Sequence, residues 1–217
     1  MTTTTTLADK LTEVAQRLES RPKELIDVIF TAKTNIEQTF DPKQAIQPGA
    51  KLPEFSLPDA TGRQVSSSEL LSKGPLLITF YRGQWCPFCN LALRAFQLRL
   101  PEIEAMGANF VAVSPELPDS SLSSIEKDEL KFPVLSDIGL KLARELGIVW
   151  KQPETLRVIF DTFGTDLKAR NGDDSFELPI PTTILVDQSA IVRNVHANPD
   201  YFKRLEPQVA LDWIKAL

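Results

Sequence analysis

The sequence predicts an α/β fold in which a central mixed β-sheet is flanked by helices. Two apolar runs, residues 76–81 and 109–114, have the composition of buried strands. The segment between them, residues 90–106, carries apolar side chains at helical spacing. A strand, a helix and a strand in this order form a unit whose two strands pair in parallel. A pair of cysteines, Cys86 and Cys89, stands where the first strand gives way to the helix.

Length and composition favour one domain with an extension. The chain has 217 residues, of which 42% are hydrophobic and 24% are charged, enough for a packed core. The net charge is -5 and no cluster of Lys and Arg is present, which argues against a nucleic-acid partner. Met1 and the five threonines after it lack the basic and apolar regions of a secretory signal, and no apolar run is long enough to span a bilayer. We therefore expect a cytoplasmic protein that does not insert into membranes.

Residues 1–48 predict a helical extension ahead of the main domain, which covers residues 49–217. Apolar residues recur at helical spacing from Leu7 to Leu18, and Pro22 then suits the first turn of a second helix. Two roles are open for this extension. It either packs on the main domain as a helical pair or forms a dimerisation arm, in which case the protein is a homodimer.

The main domain continues with short elements on both sides of the central unit. Residues 147–178 are harder to assign, and the Asn-Gly pair within them, Asn171 and Gly172, is typical of a hairpin turn. We expect an inserted hairpin or loop there and hypothesise that it covers the cysteine pair. The other predicted elements are strands at residues 54–57, 132–135, 184–187 and 191–194, and helices at residues 66–71, 120–131, 138–146 and 207–217.

The spacing of the two cysteines indicates a redox motif. Cys86 and Cys89 can close a small disulfide ring across one helical turn. The N–H groups and dipole at a helix start favour an anion, so we expect a thiolate with a lowered pKa. A structural zinc site needs four ligands, and His196 is the only histidine in the chain. We therefore expect chemistry that needs no metal, flavin or haem.

The segment FYRGQWCPFCN at residues 80–90 resembles the peroxiredoxin-like branch of the AhpC/TSA group. The resemblance runs from about Gly49 to the C-terminus, and the helical extension also resembles members of that branch. It implies a thioredoxin-like fold and thiol peroxidase activity. The other segments that carry it are residues 53–57, 113–115, 132–137 and 178–181.

The resemblance also implies roles for individual residues. In the register of peroxiredoxins, Cys89 takes the peroxidatic position and Cys86 stands where those proteins have Thr or Ser. Arg82 stands where they have Pro, and Pro181 stands where they place an Arg near the start of a late strand. Arg82 is therefore a candidate for the missing positive charge, or else a solvated or ion-paired side chain. In a thioredoxin register, Cys86 is instead the exposed nucleophile, and Thr79 replaces a buried Asp.

Three further residues are candidates for a supporting role. Trp85 lies beside the pair and could shield it. Pro181 and Thr182 match the Ile-Pro-Thr context in which thioredoxin folds place a cis proline against the cysteines, so we expect a cis bond before Pro181. The alternative is a trans proline that opens an edge strand. His196 is predicted to lie in a loop, with a surface role rather than that of a general base.

The resemblance implies that the pair reduces hydroperoxides and is recycled by a cellular dithiol such as thioredoxin or by a glutathione-type reductant. Two other functions stay open. The protein is a thiol–disulfide oxidoreductase if Cys86 attacks disulfide substrates, or a non-enzymatic redox-sensing module if the disulfide switches a partner surface. Fast reaction with peroxide would indicate the peroxidase, and reduction of insulin would indicate the oxidoreductase. The absence of both would indicate the sensing module.

Overall fold

The computed structural model describes residues 5–118 and 130–217, which form helices around a five-stranded sheet. No helix among these residues is long and apolar enough to cross a membrane. The strands are β1 (Ser56–Pro58), β2 (Gln64–Ser66), β3 (Leu76–Phe80), β4 (Asn109–Ser114), β5 (Val134–Ser136), β6 (Val149–Lys151), β7 (Glu177–Pro179), β8 (Thr182–Val186) and β9 (Val192–Ala197). The helices are α1 (Leu7–Glu19), α2 (Lys23–Thr39), α3 (Ser67–Lys73), α4 (Pro87–Ala105), α5 (Lys141–Glu145), α6 (Arg157–Thr162), α7 (Leu167–Asn171) and α8 (Pro207–Lys215).

The central sheet is mixed, as the sequence predicts, and its strand order is β5-β4-β3-β8-β9. Strand β3 pairs in parallel with β4 and antiparallel with β8. All five residues of β3 are buried, which requires helices on both faces of the sheet. Phe80, the last residue of β3, pairs with Thr182, the first residue of β8. This register places the loop after β3, which carries the cysteines, beside the chain that enters β8.

The two faces of the sheet bury separate apolar clusters. Leu77 of β3 points toward α1, α4 and α8, in the same cluster as both cysteines. Its neighbours Leu76 and Ile78 point to the opposite face, which α3 and α5 cover. This alternation follows from the two-residue period of a strand. The redox motif therefore lies on the α4 face of the sheet.

The N-terminal helices pack onto the rest of the chain. Leu7 and Leu11 of α1 belong to the cluster that contains the cysteines. Ile29 and Ala32 of α2 pack against the inserted segment, residues 147–178. A capping box between Thr6 and Asp9 begins α1. The division of the chain at residue 48 stays a prediction.

The inserted segment differs from the predicted hairpin. Asn171 ends α7, and Gly172 caps that helix in the left-handed region at φ 74°. Because Asp166 accepts a hydrogen bond from the Ala169 N–H and Leu167 is buried, this stretch is helical and the Asn-Gly pair is a helix end. Strands β6 and β7 pair antiparallel at the two ends of the insert.

His196 lies in strand β9, opposite Thr183 of β8, and not in a loop as predicted. The pairing of β9 with β8 continues past residue 194 as far as Ala197, which lies opposite Thr182. The helix predicted at residues 120–131 falls almost wholly on residues 119–129, which are outside the described residues.

The predicted cis proline is wrong, because the described residues contain no cis peptide bond and Pro181 is therefore trans. The Ile180 N–H donates to Ile148 O at 2.7 Å, and Pro181 O accepts from the Asn198 N–H at 3.5 Å. The chain is therefore extended here, with the Ile180 N–H and the Pro181 carbonyl both hydrogen-bonded, and it makes no tight turn that would need a cis bond. The trans form is also favoured by about 0.5–1 kcal/mol in the absence of such a requirement.

We expect Gly147→Ala to destabilise the fold more than Gly164→Ala. Both glycines have a left-handed φ, at 67° and 66°, which costs an alanine about 1–2 kcal/mol. A Cβ at Gly147 would also lie 2.1 Å from Gln44 O, whereas one at Gly164 meets nothing within 4 Å. The additional loss at Gly147 should be about 1–3 kcal/mol in the free energy of unfolding from urea titration. Equal losses at the two positions would contradict the close approach to Gln44.

Candidate active site

The two cysteines begin helix α4. Cys86 is the N-cap residue, Pro87 is the first helical residue, and Cys89 lies in the first turn. Gly83 in the preceding loop allows the Trp85 indole to approach the backbone closely, because a Cβ there would lie 2.4 Å from Trp85 Nε1. Both cysteines are unbridged and only 1% exposed. The sequence expectation that the pair stands at a strand-to-helix junction is therefore met, but neither sulfur is open to solvent.

Cys89 is the better stabilised thiolate of the pair. Burial acts to raise the pKa of Cys89, whereas a hydrogen bond from Cys86 and the charge of Arg204 act to lower it. A hydrogen bond from the backbone of Arg82 and the charge of that residue act in the same direction. Together they lower the pKa of Cys89 from 9.0 to about 5. Cys89 is therefore ionised at neutral pH.

Cys86 keeps its proton. Burial raises its pKa well above 9.0, and the hydrogen bond to Cys89 and the negative charge of Cys89 raise it further. The opposing charges of Arg82 and Arg204 are weaker influences. The pair is thus a thiolate at Cys89 that accepts a hydrogen bond from a thiol at Cys86.

Arg204 is the nearest cation to the thiolate. Its Nη2 lies 3.0 Å from Cys89 Sγ and 3.9 Å from Cys86 Sγ. Its Nη1 donates to the backbone carbonyls of Tyr201 and Lys203, at 2.6 Å each. Sequence analysis missed Arg204 because it lies 115 residues from Cys89 in the chain, in a loop without periodic pattern.

Arg82 is a second buried cation at the site. It is 6% exposed, and its guanidinium lies between the rings of Trp85 and Tyr201, 4.8 and 4.3 Å from their centroids. Its Nη2 donates to Gln152 Oε1 at 3.4 Å. No carboxylate in residues 5–118 and 130–217 lies close enough to the Arg82 guanidinium to form an ion pair. The side chain is therefore neither solvated nor ion-paired within that part of the chain.

The inserted segment contacts the cysteine loop at two further places. Phe160 of α6 packs edge-on against Trp85, with centroids 4.9 Å apart. Glu116, which is fully buried, accepts a hydrogen bond from the Gln84 N–H at 2.8 Å and another from Arg170 Nη1 at 3.1 Å. Burial raises the pKa of Glu116 despite these bonds. The segment therefore covers Trp85 and the loop before the pair.

The other predicted residues lie near the pair without bonding to it. Pro181 and Thr182 adjoin the end of β3, and the Thr182 hydroxyl donates to Ile180 O at 2.9 Å. The hydroxyls of Thr79 and Thr183 bond each other at 3.0 Å across the two strands. Burial, followed by the charge of Arg204, lowers the pKa of His196.

Across residues 5–118 and 130–217, no three His, Cys, Asp or Glu side chains are grouped to hold a metal ion.

We expect Arg204→Met to raise the pKa of Cys89. The change removes the charge and the hydrogen bond that favour the thiolate, and a neighbouring cation typically lowers such a pKa by about 1–3 pH units. Thiolate absorbance at 240 nm against pH should show a wild-type midpoint at about 5. The control is Arg193→Met, since Arg193 pairs with Asp187 on the surface, at 2.6 Å. An unchanged midpoint in Arg204→Met would contradict the assignment.

Comparison with known proteins identifies the family. Residues 48–195 match the profile of the AhpC/TSA family. The chain is 30% identical to the chloroplastic peroxiredoxin Q of Sedum lineare over 150 residues, which cover 69% of this chain and 68% of that protein. It is 28% identical to the chloroplastic peroxiredoxin Q of Gentiana triflora over 153 residues, which cover 70% of this chain and 60% of that protein.

Solved structures agree on the fold. Peroxidoxin BcpB from Mycobacterium tuberculosis matches with a TM-score of 0.61 at 23% identity, over 79% of this chain and 98% of that one. A mutant of peroxiredoxin 6 from Arenicola marina matches with a TM-score of 0.63 at 14% identity, over 78% of this chain and 72% of that one. The chain therefore belongs to the AhpC/TSA family and is a peroxiredoxin-like protein with a thioredoxin fold.

Proposed function

We propose that this protein is a thiol-dependent peroxidase in which Cys89 attacks the peroxide and Cys86 resolves the product. Membership of the AhpC/TSA family and the peroxiredoxin relatives support peroxidase activity. The observation that carries the assignment of roles is the contact between Arg204 and Cys89, 3.0 Å from nitrogen to sulfur. It favours the thiolate at Cys89, which is the nucleophilic form of the thiol.

The first step oxidises Cys89. Its thiolate attacks one oxygen of a hydroperoxide, a sulfur–oxygen bond forms, and the oxygen–oxygen bond breaks. The released alkoxide or hydroxide takes a proton from water and leaves as an alcohol or water. Cys89 is then a sulfenic acid. Arg204 and Arg82 supply positive charge where negative charge moves from sulfur to the leaving oxygen.

The second step closes the disulfide. The Cys86 sulfur attacks the sulfenic sulfur of Cys89, and the hydroxyl leaves as water with the proton of Cys86. The residue that stabilises the thiolate by hydrogen bonding is thus also the one that resolves the sulfenic acid. A cellular dithiol of the thioredoxin type, or a glutathione-type thiol, then supplies two electrons and two protons to restore both thiols.

A thiol–disulfide oxidoreductase that attacks through Cys86 is the weaker candidate. Burial and the neighbouring thiolate raise the pKa of Cys86, so little of the nucleophilic form exists at neutral pH. A cytoplasmic location and a homodimer stay predictions. Turnover of insulin disulfides that depends on Cys86 would favour the oxidoreductase over the peroxidase.

We expect Cys89→Ser to abolish the fast reaction with hydrogen peroxide. The variant lacks the thiolate, and the remaining thiol at Cys86 is held in its protonated form. Stopped-flow tryptophan fluorescence of the reduced protein, with Trp85 beside the pair as the reporter, measures the rate against free cysteine.

Cys86→Ser is the matched control for this experiment. It should keep the fast first step and stop at a sulfenic acid, seen in the intact mass as one added oxygen with no disulfide. A fast phase that survives in Cys89→Ser but not in Cys86→Ser would reverse the two roles. A wild-type rate no better than that of free cysteine would overturn the peroxidase itself.

A further inference from the structure

Arg204 reaches the thiolate from a loop, residues 198–206, which joins β9 to α8 and is called here the arginine loop. Its guanidinium donates to the two cysteine sulfurs and to the backbone carbonyls of Tyr201 and Lys203. These two carbonyls belong to the arginine loop itself. No carboxylate among residues 5–118 and 130–217 holds Arg204 as an ion pair. Its position over Cys89 therefore depends on what holds the loop.

Helix α2 holds the first half of the arginine loop. Asp200 is 8% exposed, and its carboxylate lies 3.2 Å from Lys33 Nζ on α2. The Tyr201 hydroxyl donates to the carbonyl of Ile29, at 3.3 Å, on the preceding turn of the same helix. Asp200 and Tyr201, which lie four and three positions before Arg204, are thus bonded to one face of α2.

An aromatic contact extends this attachment to the cysteines. Phe202 stands edge-on to Phe30 of α2, with centroids 5.8 Å apart. Its other side stacks on Phe88, which lies between Cys86 and Cys89, at 4.4 Å and an interplanar angle of 7°. Phe202 therefore fills the space between α2 and the first turn of α4.

Helix α1 holds the end of the loop. Glu206 accepts hydrogen bonds from the backbone N–H groups of Leu7 and Ala8, at 3.4 and 2.7 Å. These are free donors at the start of α1, where a carboxylate is favoured. Both helices of the N-terminal extension thus fasten the arginine loop, one on each side of Arg204.

We propose that the N-terminal helices support the redox site by holding the arginine loop. Lys33 and Glu206 are the positioning residues that keep the Arg204 guanidinium on the Cys89 sulfur. The inference deepens the proposed peroxidase function and rests on it for the catalytic consequence. Cys86 acts on Cys89 through a hydrogen bond, Arg204, Arg82 and Glu116 act on it through their charges, and none of these groups lies on α2. The influence of α2 therefore passes through the arginine loop.

The test is a double-mutant cycle on the thiolate titration of the full chain at 240 nm. Lys33→Met should raise the midpoint of Cys89, and Lys33→Arg should restore it. In the Arg204→Met background, Lys33→Met should cause no further change, because the residue through which it acts is gone. Lys23→Met is the matched control, since Lys23 pairs with Asp27 at 2.6 Å on the exposed side of the same helix.

The peroxide rate provides the second readout. A higher midpoint leaves less thiolate at low pH, so Lys33→Met should lose about two- to tenfold in rate near pH 6 and less than twofold near pH 8.5. A loss of fold stability alone would lower both rates equally. Glu206→Gln, which keeps the shape of the side chain, should raise the midpoint in the same direction.

Two results would overturn the inference. One is a wild-type midpoint in both Lys33→Met and Glu206→Gln while Arg204→Met shifts it. The other is an equal effect of Lys33→Met with and without Arg204, which would mean a direct effect of the lysine charge. A slow wild-type reaction with peroxide would instead overturn the proposed function, because the titration does not depend on peroxide.

Discussion

The structure depends on keeping a charged sulfur in a place that water does not reach. Cys89 is 1% exposed, and a buried anion is costly unless cations and hydrogen bonds compensate for the lost solvent. Cys86 supplies the hydrogen bond, Arg204 the closest charge, and Arg82 a second charge held between two aromatic rings. The helices and loops around the pair are arranged so that these three groups converge on one atom.

This arrangement replaces the helpers expected in a peroxiredoxin by residues from other places. Cys86 stands where the resemblance places a Thr or Ser, and its thiol donates a hydrogen bond to Cys89. The positive charge expected at the start of the late strand is absent because Pro181 is there. Arg204 reaches the same sulfur from beyond β9. The positive charge beside Cys89 thus comes from a different part of the chain than the resemblance implies.

Three segments outside the cysteine motif complete the site. The insert places Phe160 on Trp85 and Gln152 on Arg82. The arginine loop places Phe202 on Phe88. The N-terminal helices hold that loop through one ion pair, Lys33 with Asp200, and through hydrogen bonds that involve the helix backbone. Together these segments enclose the pair, so that each cysteine is only 1% exposed.

The βαβ unit and the cysteine pair at a helix start were predictable from the sequence alone, because each is encoded in a pattern a few residues long. The two-residue period of β3, the helical period of α4 and the CxxC spacing need no knowledge of distant residues. The register of peroxiredoxins also pointed to Cys89. Three features required the folded chain: the trans bond at Pro181, the helical end at Asn171, and the place of Arg204. These depend on ladders, caps and contacts between residues far apart in the chain, and a single arginine in a loop carries no local pattern that reveals where it folds.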